Sequence, residues 1–219
     1  MMDRNLGATS ATPGDVGALG LLYQWGRKDP FLGSSSISSR TVAKSTISWP
    51  SPVSTNSSHG TVSYVTANPT TFVYGSSSTS YDWHYSSRDN TLWTTSDKPK
   101  SIYDPCPVGW RVPDGGSNGV WSKALGSSSD FVVYDHENRG INFSGKFGRA
   151  STIWYPSSGY RADNDGSLNG VGSIGSYWSA SPSSGKGACI LDFDYDGGVY
   201  PALFYGSRSL GHLVRCLQE

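Results

Sequence analysis

The sequence predicts an α+β fold in which two short helices and many short strands are joined by loops. Glycine and tyrosine are abundant, with 27 and 13 residues among 219, and this composition is typical of a turn-rich chain with little helix. Leu19, Leu22 and Tyr23 have helical spacing, and they predict one short helix that stops at Gly26 and Pro30.

A second short helix is predicted around Trp121 and Leu125, which lie four residues apart and precede Gly126. Residues 34–100 are rich in serine and threonine, and we interpret them as a loopy insertion with strand-like pieces such as TVSYVTA and TTFVYG. Short strands between turn signals follow in DFVVYD, GINFSG, TIWYPSSGYR and GSYWSASP. The sequence therefore predicts one domain, 1–219, that carries an insertion at about 34–100.

Charge and composition exclude some classes of function. The chain has 17 basic and 17 acidic residues without a basic cluster, which argues against nucleic-acid binding. No apolar run is long enough to span a membrane, and we expect no membrane insertion. The start, MMDRNLGAT, lacks a basic and then apolar leader, so we expect a further segment upstream. The low charge and the Ser, Thr, Gly and Tyr content favour an exported protein, where a disulfide can form.

The stretch DFDYDG at 192–197 resembles half of a helix–loop–helix calcium loop. Asp192, Asp194, Asp196 and Gly197 fit loop positions 1, 3, 5 and 6, but the twelfth position is Leu203, which cannot ligate. The preceding ACILDFDY alternates as a strand does, with Leu191 and Phe193 on one side. We therefore predict no metal site here and interpret the aspartates as outward side chains.

No catalytic motif is present, and we predict no enzyme activity and no cofactor. The four histidines, at 59, 84, 136 and 212, lie outside metal-binding motifs, and neither a nucleophile elbow nor a phosphate-binding loop occurs. The chain also lacks the Glu-Pro-Asn and Trp-Asn-Asp motifs of calcium-dependent sugar binding.

Several motifs follow one another along the chain: CPVGWRVP at 106–113, YPSSGYR at 155–161, GSLNGVGSIGSYWSASP at 166–182 and GHLVRC at 211–216, after MDRNLGAT and LLYQWGR. They resemble the motifs of the Fibrobacter succinogenes major paralogous domain, which belongs to the C-type lectin-like superfamily, and only 34–100 has no match. The resemblance implies two short helices around a small irregular antiparallel sheet. It also implies a disulfide between Cys106 and Cys216, against the alternative of two buried free thiols.

About fifty C-terminal residues resemble a narrower class, the variable region of proteins diversified by retroelements. In those systems an error-prone reverse transcriptase rewrites adenines, and the target codons, often AAC or AAT, cannot yield Lys, Glu, Gln, Trp or Met. None of these residue types occurs at 187–210. Scaffold-like apolar residues alternate there with a chemically mixed set. We predict a variable ligand-binding face at about 184–210, formed by Lys186, Ile190, Asp192, Asp194, Asp196, Gly198, Tyr200, Leu203, Phe204, Tyr205, Ser207 and Leu210.

Two alternatives stay open within this face. Tyr200, Phe204 and Tyr205 are either an exposed aromatic cluster suited to binding or part of the core. Cys189, the third cysteine, is either a product of a variable codon or a small core residue.

These observations predict a ligand-binding adhesin or receptor-binding module whose C-terminal surface is diversified by a retroelement. The resemblance implies an extracellular setting at a pilus tip on a Bacteroidetes-like bacterium, with pilus subunits joined through an N-terminal region. The partner would be a protein or glycan on a host or neighbouring cell. The alternatives are a fixed-specificity carbohydrate-binding module, a phage tail receptor-binding protein, or an enzyme of the formylglycine-generating type.

Overall fold

The computed structural model describes residues 1–37, 51–86, 88–125, 132–143, 153–183, 187–202 and 205–219. Its helices are α1 (Val62–Ala67) and α2 (Val120–Leu125), with short 3-10 turns at Val16–Ala18 and Ser77–Thr79. The strands are β1 (Leu22–Gln24), β2 (Val53–Ser54), β3 (Val73–Tyr74), β4 (Trp110–Arg111), β5 (Tyr134–Asp135), β6 (Gly140–Asn142), β7 (Trp154–Pro156), β8 (Ser158–Arg161), β9 (Leu168–Val171), β10 (Ile174–Pro182), β11 (Gly187–Asp194), β12 (Val199–Tyr200), β13 (Tyr205–Ser207), β14 (Gly211–Leu213) and β15 (Leu217–Gln218).

The predicted α+β, C-type lectin-like fold is wrong, because the chain is mostly β. Among the described residues 10% are helical and 28% lie in strands, which form several sheets. The largest sheet has eight strands in the order β1-β14-β8-β10-β11-β12, with β9 paired to β8 and β13 paired to β11. Smaller sheets are formed by β5-β6-β7, by β2-β3 and by β15-β4.

The first predicted helix is a strand in the structure. Leu22 and Tyr23 belong to β1, which pairs antiparallel with β14. Both side chains are buried, one on each side of the sheet, and this produces an apolar spacing that resembles a helical face. Gly20 and Gly26 flank the strand at φ values of 75° and 82°, which side chains larger than glycine rarely adopt, so the chain turns sharply at both ends.

The second predicted helix is confirmed as α2, and Trp121 and Leu125 form its buried side. Gly126, expected to end it, lies outside the described residues. The piece TVSYVTA, expected to be strand-like, is helix α1. The side chain of Thr61 caps this helix by accepting a hydrogen bond from the Tyr64 amide at 3.1 Å, and the cap outweighs the low helix propensity of the valines and threonine.

The insertion is tied to the domain by a set of buried side chains that we call the insertion anchor, formed by Gln24, Trp25, Arg27 and Trp83. Gln24 donates to the carbonyl oxygens of Val73 and Ser209 and accepts from Arg27, at 2.7, 2.8 and 2.8 Å. The Trp83 indole donates to the Trp25 carbonyl at 2.8 Å. The buried indole of Trp83 therefore ties the insertion to the body of the domain.

Two buried clusters lie on opposite sides of the central sheet. The Tyr177 cluster includes Leu191 and Phe193, and the Trp178 cluster includes Ile190 and the two cysteines of the predicted disulfide. Tyr177 and Trp178 are neighbours in β10, and successive side chains of a strand point to opposite faces. The long strands β10 and β11 therefore support both clusters at once.

The disulfide between Cys106 and Cys216 is confirmed, with Cα atoms 5.9 Å apart and a sequence separation of 110 residues. It stands beside the pairing of β15 with β4. In the part of the chain that the structure describes, no helix combines the length and the apolar character needed to cross a bilayer.

Candidate ligand-binding groove

The antiparallel pair β10–β11 divides its side chains between a core face, which lies in the Tyr177 cluster, and an outer face, which the Trp178 cluster covers over only part of its length. Tyr177 opposes Leu191 on the core face, and Trp178 opposes Ile190 on the other. Farther along this second face Ser176 opposes Asp192. Leu191 is fully buried, whereas Asp192 is half-buried. The predicted alternation in this stretch thus produces a surface on which polar side chains stand beside apolar ones.

A groove of about 440 Å³ lies on this outer face. Its walls come from β10 and β11, from the end of β8 with the turn after it, and from β13 and β14. The lining residues are Tyr160, Ala162, Asp163, Asn164, Ile174, Ser176, Ile190, Asp192, Gly206, Leu210 and His212. Ile190, Asp192 and Leu210 are three of the predicted binding residues, so the structure brings part of that set together in one concave surface.

Asp192 lies on the β11 wall of the groove. Its Oδ1 accepts a hydrogen bond from the Ser176 hydroxyl at 2.5 Å. Burial raises the pKa of the Asp192 carboxyl; the Ser176 hydrogen bond opposes this, and the nearby charge of Asp194 reinforces it. The carboxylate is therefore held in a setting that favours a donor or a positive charge beside it.

His212 lies on the β14 side of the groove and is 3% exposed. Neither ring nitrogen has a hydrogen-bond partner among the described residues, although the ring meets Trp178 edge-on at 4.5 Å between centroids. Burial lowers the pKa of the imidazole to about 3, so the ring is neutral at physiological pH. A neutral imidazole offers one donor and one acceptor, and neither is bonded to the described residues.

Gly206 keeps the groove open next to His212. A β-carbon at this position would stand 2.9 Å from Nε2 of His212 and 3.0 Å from Cη2 of Trp178. Any larger residue would therefore press on the two rings. His212 is not among the predicted binding residues, and the signal that points to it is a polar residue within the buried strand GHL.

The aspartates of the calcium-like stretch do not converge on one point. Asp194 accepts from the amides of Asp196 and Gly198 at 2.9 and 3.1 Å, and so closes the β11–β12 hairpin as an Asx turn. Gly197 has a φ of 93°, which the turn requires, and Asp196 is exposed. Within the described ranges, no group of three or more His, Cys, Asp or Glu side chains could hold a metal ion.

The other predicted binding residues lie around the groove or outside the described chain. Tyr200 pairs with Asp192 across β11–β12, and Ser207 pairs with Gly187; both are half-buried. The backbone of Tyr205 pairs with that of Cys189. Lys186, Leu203 and Phe204 fall outside the described residues.

Cys189 is half-buried and free, and it points to the core face of β11. Burial raises the pKa of its thiol, so little reactive thiolate forms at neutral pH. Its surroundings do not match those of a nucleophile.

Comparison of the chain with protein-family models, with curated proteins and with solved structures found no match. A functional assignment therefore depends on the geometry of the groove and on the pattern of residues around it.

Proposed function

We propose that this chain is a non-enzymatic ligand-binding module that holds its partner in the groove and at the predicted binding face, residues 184–210. The observation that carries the proposal is the groove itself, a concavity of about 440 Å³ whose lining combines polar side chains such as Asp192 and His212 with apolar ones such as Ile174 and Leu210. Ligand sites commonly have volumes of about 300–1,000 Å³ and this mixed lining.

The packing of the strands supports a separation between frame and binding surface. Leu191, Phe193 and Val199 are buried in the Tyr177 cluster, whereas Asp192, Tyr200 and Leu210 are half-buried at the surface. Substitutions of exposed side chains usually change stability by about 0.5 kcal/mol, and those of half-buried side chains cost more, although less than the loss of a core side chain. A surface of this type can change its ligand without losing its fold.

The proposed biological role is that of an extracellular adhesin or receptor-binding module whose C-terminal surface is diversified by a retroelement. The residue pattern at 187–210 supports diversification, because it lacks the five residue types that rewritten AAC or AAT codons cannot yield. The disulfide supports export, since such bonds persist in oxidising compartments. In this proposal the partner is a surface molecule of a host or neighbouring cell.

Sequencing of the gene's 3′ end and its flanking DNA across many cells tests the proposal. We expect a nearby template repeat and substitutions confined to its adenine positions, which map to residues 184–210. Substitutions at positions such as 192 and 210 should be frequent, whereas the codons of Leu191 and Phe193 should be constant. An invariant 3′ end without a repeat would contradict diversification and would leave a module of fixed specificity.

A further inference from the structure

We propose that the groove binds an arginine side chain of a protein partner. This inference rests on the proposed binding function and adds the chemical class of the ligand. Four properties of the groove lead to it: its charge, its unpartnered imidazole, its apolar walls and its size.

The charge of the groove favours a cation. Two of its eleven lining residues, Asp163 and Asp192, carry carboxylates, and none of the eleven is lysine or arginine. Asp194 adds a third negative charge beside Asp192. Since Ser176 bonds only Oδ1 of Asp192, Oδ2 has no hydrogen-bond partner among the described residues. A positive ligand would therefore find an acceptor and a favourable field.

His212 gives the second, independent observation. A polar side chain buried this deeply normally has a hydrogen-bond partner, and both of its nitrogens lack one in the described part of the chain. Because the ring is neutral, one nitrogen is an acceptor. A guanidinium is a planar fork of five donors, so it can serve more than one acceptor of the groove at once. An ammonium is a compact point charge that lacks this fixed fork.

The remaining walls suit the stem of an arginine. Ile174, Ile190 and Leu210 present apolar surface, along which the methylene groups of a long basic side chain can lie. The ring of Tyr160 lies at the same groove, and guanidinium groups stack on aromatic faces. A volume of about 440 Å³ accommodates one such side chain with part of its backbone.

The test uses the full chain, isotope-labelled, and three probes of matched shape. These are N-acetyl-arginine methylamide, the corresponding lysine compound, and the citrulline compound, which keeps the shape of arginine without its charge. The readouts are the chemical shifts of the His212 ring and of the Ile190 and Leu210 methyl groups during titration. Asp192→Asn removes the acceptor charge, and His212→Phe removes the imidazole. Glu137→Gln, at an exposed site outside the groove, removes one charge as a matched control.

We expect saturable shifts at these residues with the arginine probe and at least about tenfold weaker binding of the citrulline probe. The lysine probe should bind more weakly than arginine, by about threefold or more. Asp192→Asn should weaken arginine binding about tenfold, His212→Phe should weaken it as well, and Glu137→Gln should leave it unchanged. Retained amide dispersion in each variant shows that it is folded.

The inference is overturned by the absence of saturable shifts, by equal affinity for arginine and citrulline, or by unchanged affinity in Asp192→Asn. Lysine binding as tight as arginine would also overturn it, since the site would then recognise charge alone. Shifts of the same residues with neutral sugars, and none with arginine, would overturn it while retaining a binding module. The proposed diversification is tested separately, by sequencing of the gene's 3′ end, so its failure is distinguishable from failure of arginine binding.

Discussion

The insertion anchor and the groove both contain deeply buried polar side chains, and they differ in how those side chains are bonded. Gln24 in the anchor is fully buried and bonds two backbone carbonyls and Arg27. His212 in the groove is almost as buried and has no hydrogen-bond partner among the described residues. A buried polar group that is bonded within the chain stabilises the architecture, whereas the nitrogens of His212 keep unused hydrogen-bonding capacity at the wall of the groove.

The largest expected effect comes from removing the disulfide, which lies in the Trp178 cluster together with Trp25 and Trp83 of the anchor and Ile190 of the groove. Because it closes a loop with a separation of 110 residues, the chain-entropy model gives a loss of about 4–5 kcal/mol in the free energy of unfolding for Cys106→Ser. Urea unfolding without reductant measures it. Cys189→Ser is the matched control and should cost less than about 1 kcal/mol, since this thiol is free and half-buried. Equal losses in the two variants would contradict a role for the disulfide.

A smaller loss is expected when the insertion anchor is broken. Gln24→Met keeps the volume and deletes the bonds to Val73, Ser209 and Arg27, which should lower the free energy of unfolding by about 3 kcal/mol. Gln218→Met, at an exposed position of β15, should change it by about 0.5 kcal/mol or less. If the anchor serves the fold and the groove serves binding, Gln24→Met weakens the fold and leaves arginine binding in the folded protein unchanged. A loss of binding without a loss of stability would contradict this division of roles.

The pH dependence of stability tests the state of His212. Its pKa is about 3 in the folded protein and about 6.5 when unfolded, so the unfolded chain binds an extra proton between these values. Stability is therefore full above pH 6.5 and is lost as the pH falls, by about 2 kcal/mol between pH 7 and pH 5. His212→Phe should remove this part of the pH dependence, whereas His136→Gln, at an exposed site, should retain it. Identical pH profiles for His212→Phe and the parent would show that the ring is not buried neutral.

The smallest effect on stability is expected for Asp192→Asn. Because burial raises the folded-state pKa of Asp192, its ionisation opposes folding as the pH rises above the unfolded value. The amide removes this cost and still accepts from Ser176, so the free energy of unfolding at pH 7 should rise by up to about 1 kcal/mol. Thermal unfolding measures the change. A loss greater than about 1 kcal/mol would assign Asp192 to the framework rather than to the binding surface.

The sequence predicted the strand alternation of β11 because Leu191 and Phe193 are both apolar and both face one cluster. It predicted helix α2 because Trp121 and Leu125 are four residues apart and so lie on one side of a helix. It failed at β1, where Leu22 and Tyr23 are buried on opposite sides of the sheet by β14, which lies far along the chain. Contacts at such separation leave no local pattern, so tertiary packing overrode the spacing.

Part of the candidate site was predictable in the same way. Asp192 and Leu210 lie in a stretch whose mixed chemistry stands out from its apolar frame, and both line the groove. His212 was missed because its significance depends on the lack of a partner, which only the packed structure reveals. Asp194 has a second role that spacing concealed, since its carboxylate closes the hairpin through two amides.

The disulfide has a mechanical consequence for the groove. Every groove-lining residue, from Tyr160 to His212, falls between Cys106 and Cys216. When the two ends of this chain are pulled apart, tension passes through the sulfur–sulfur bond and bypasses the enclosed segment. While the bond is intact, pulling on the two ends cannot extend the enclosed segment, and load reaches the groove only through non-covalent contacts such as the pairing of β1 with β14.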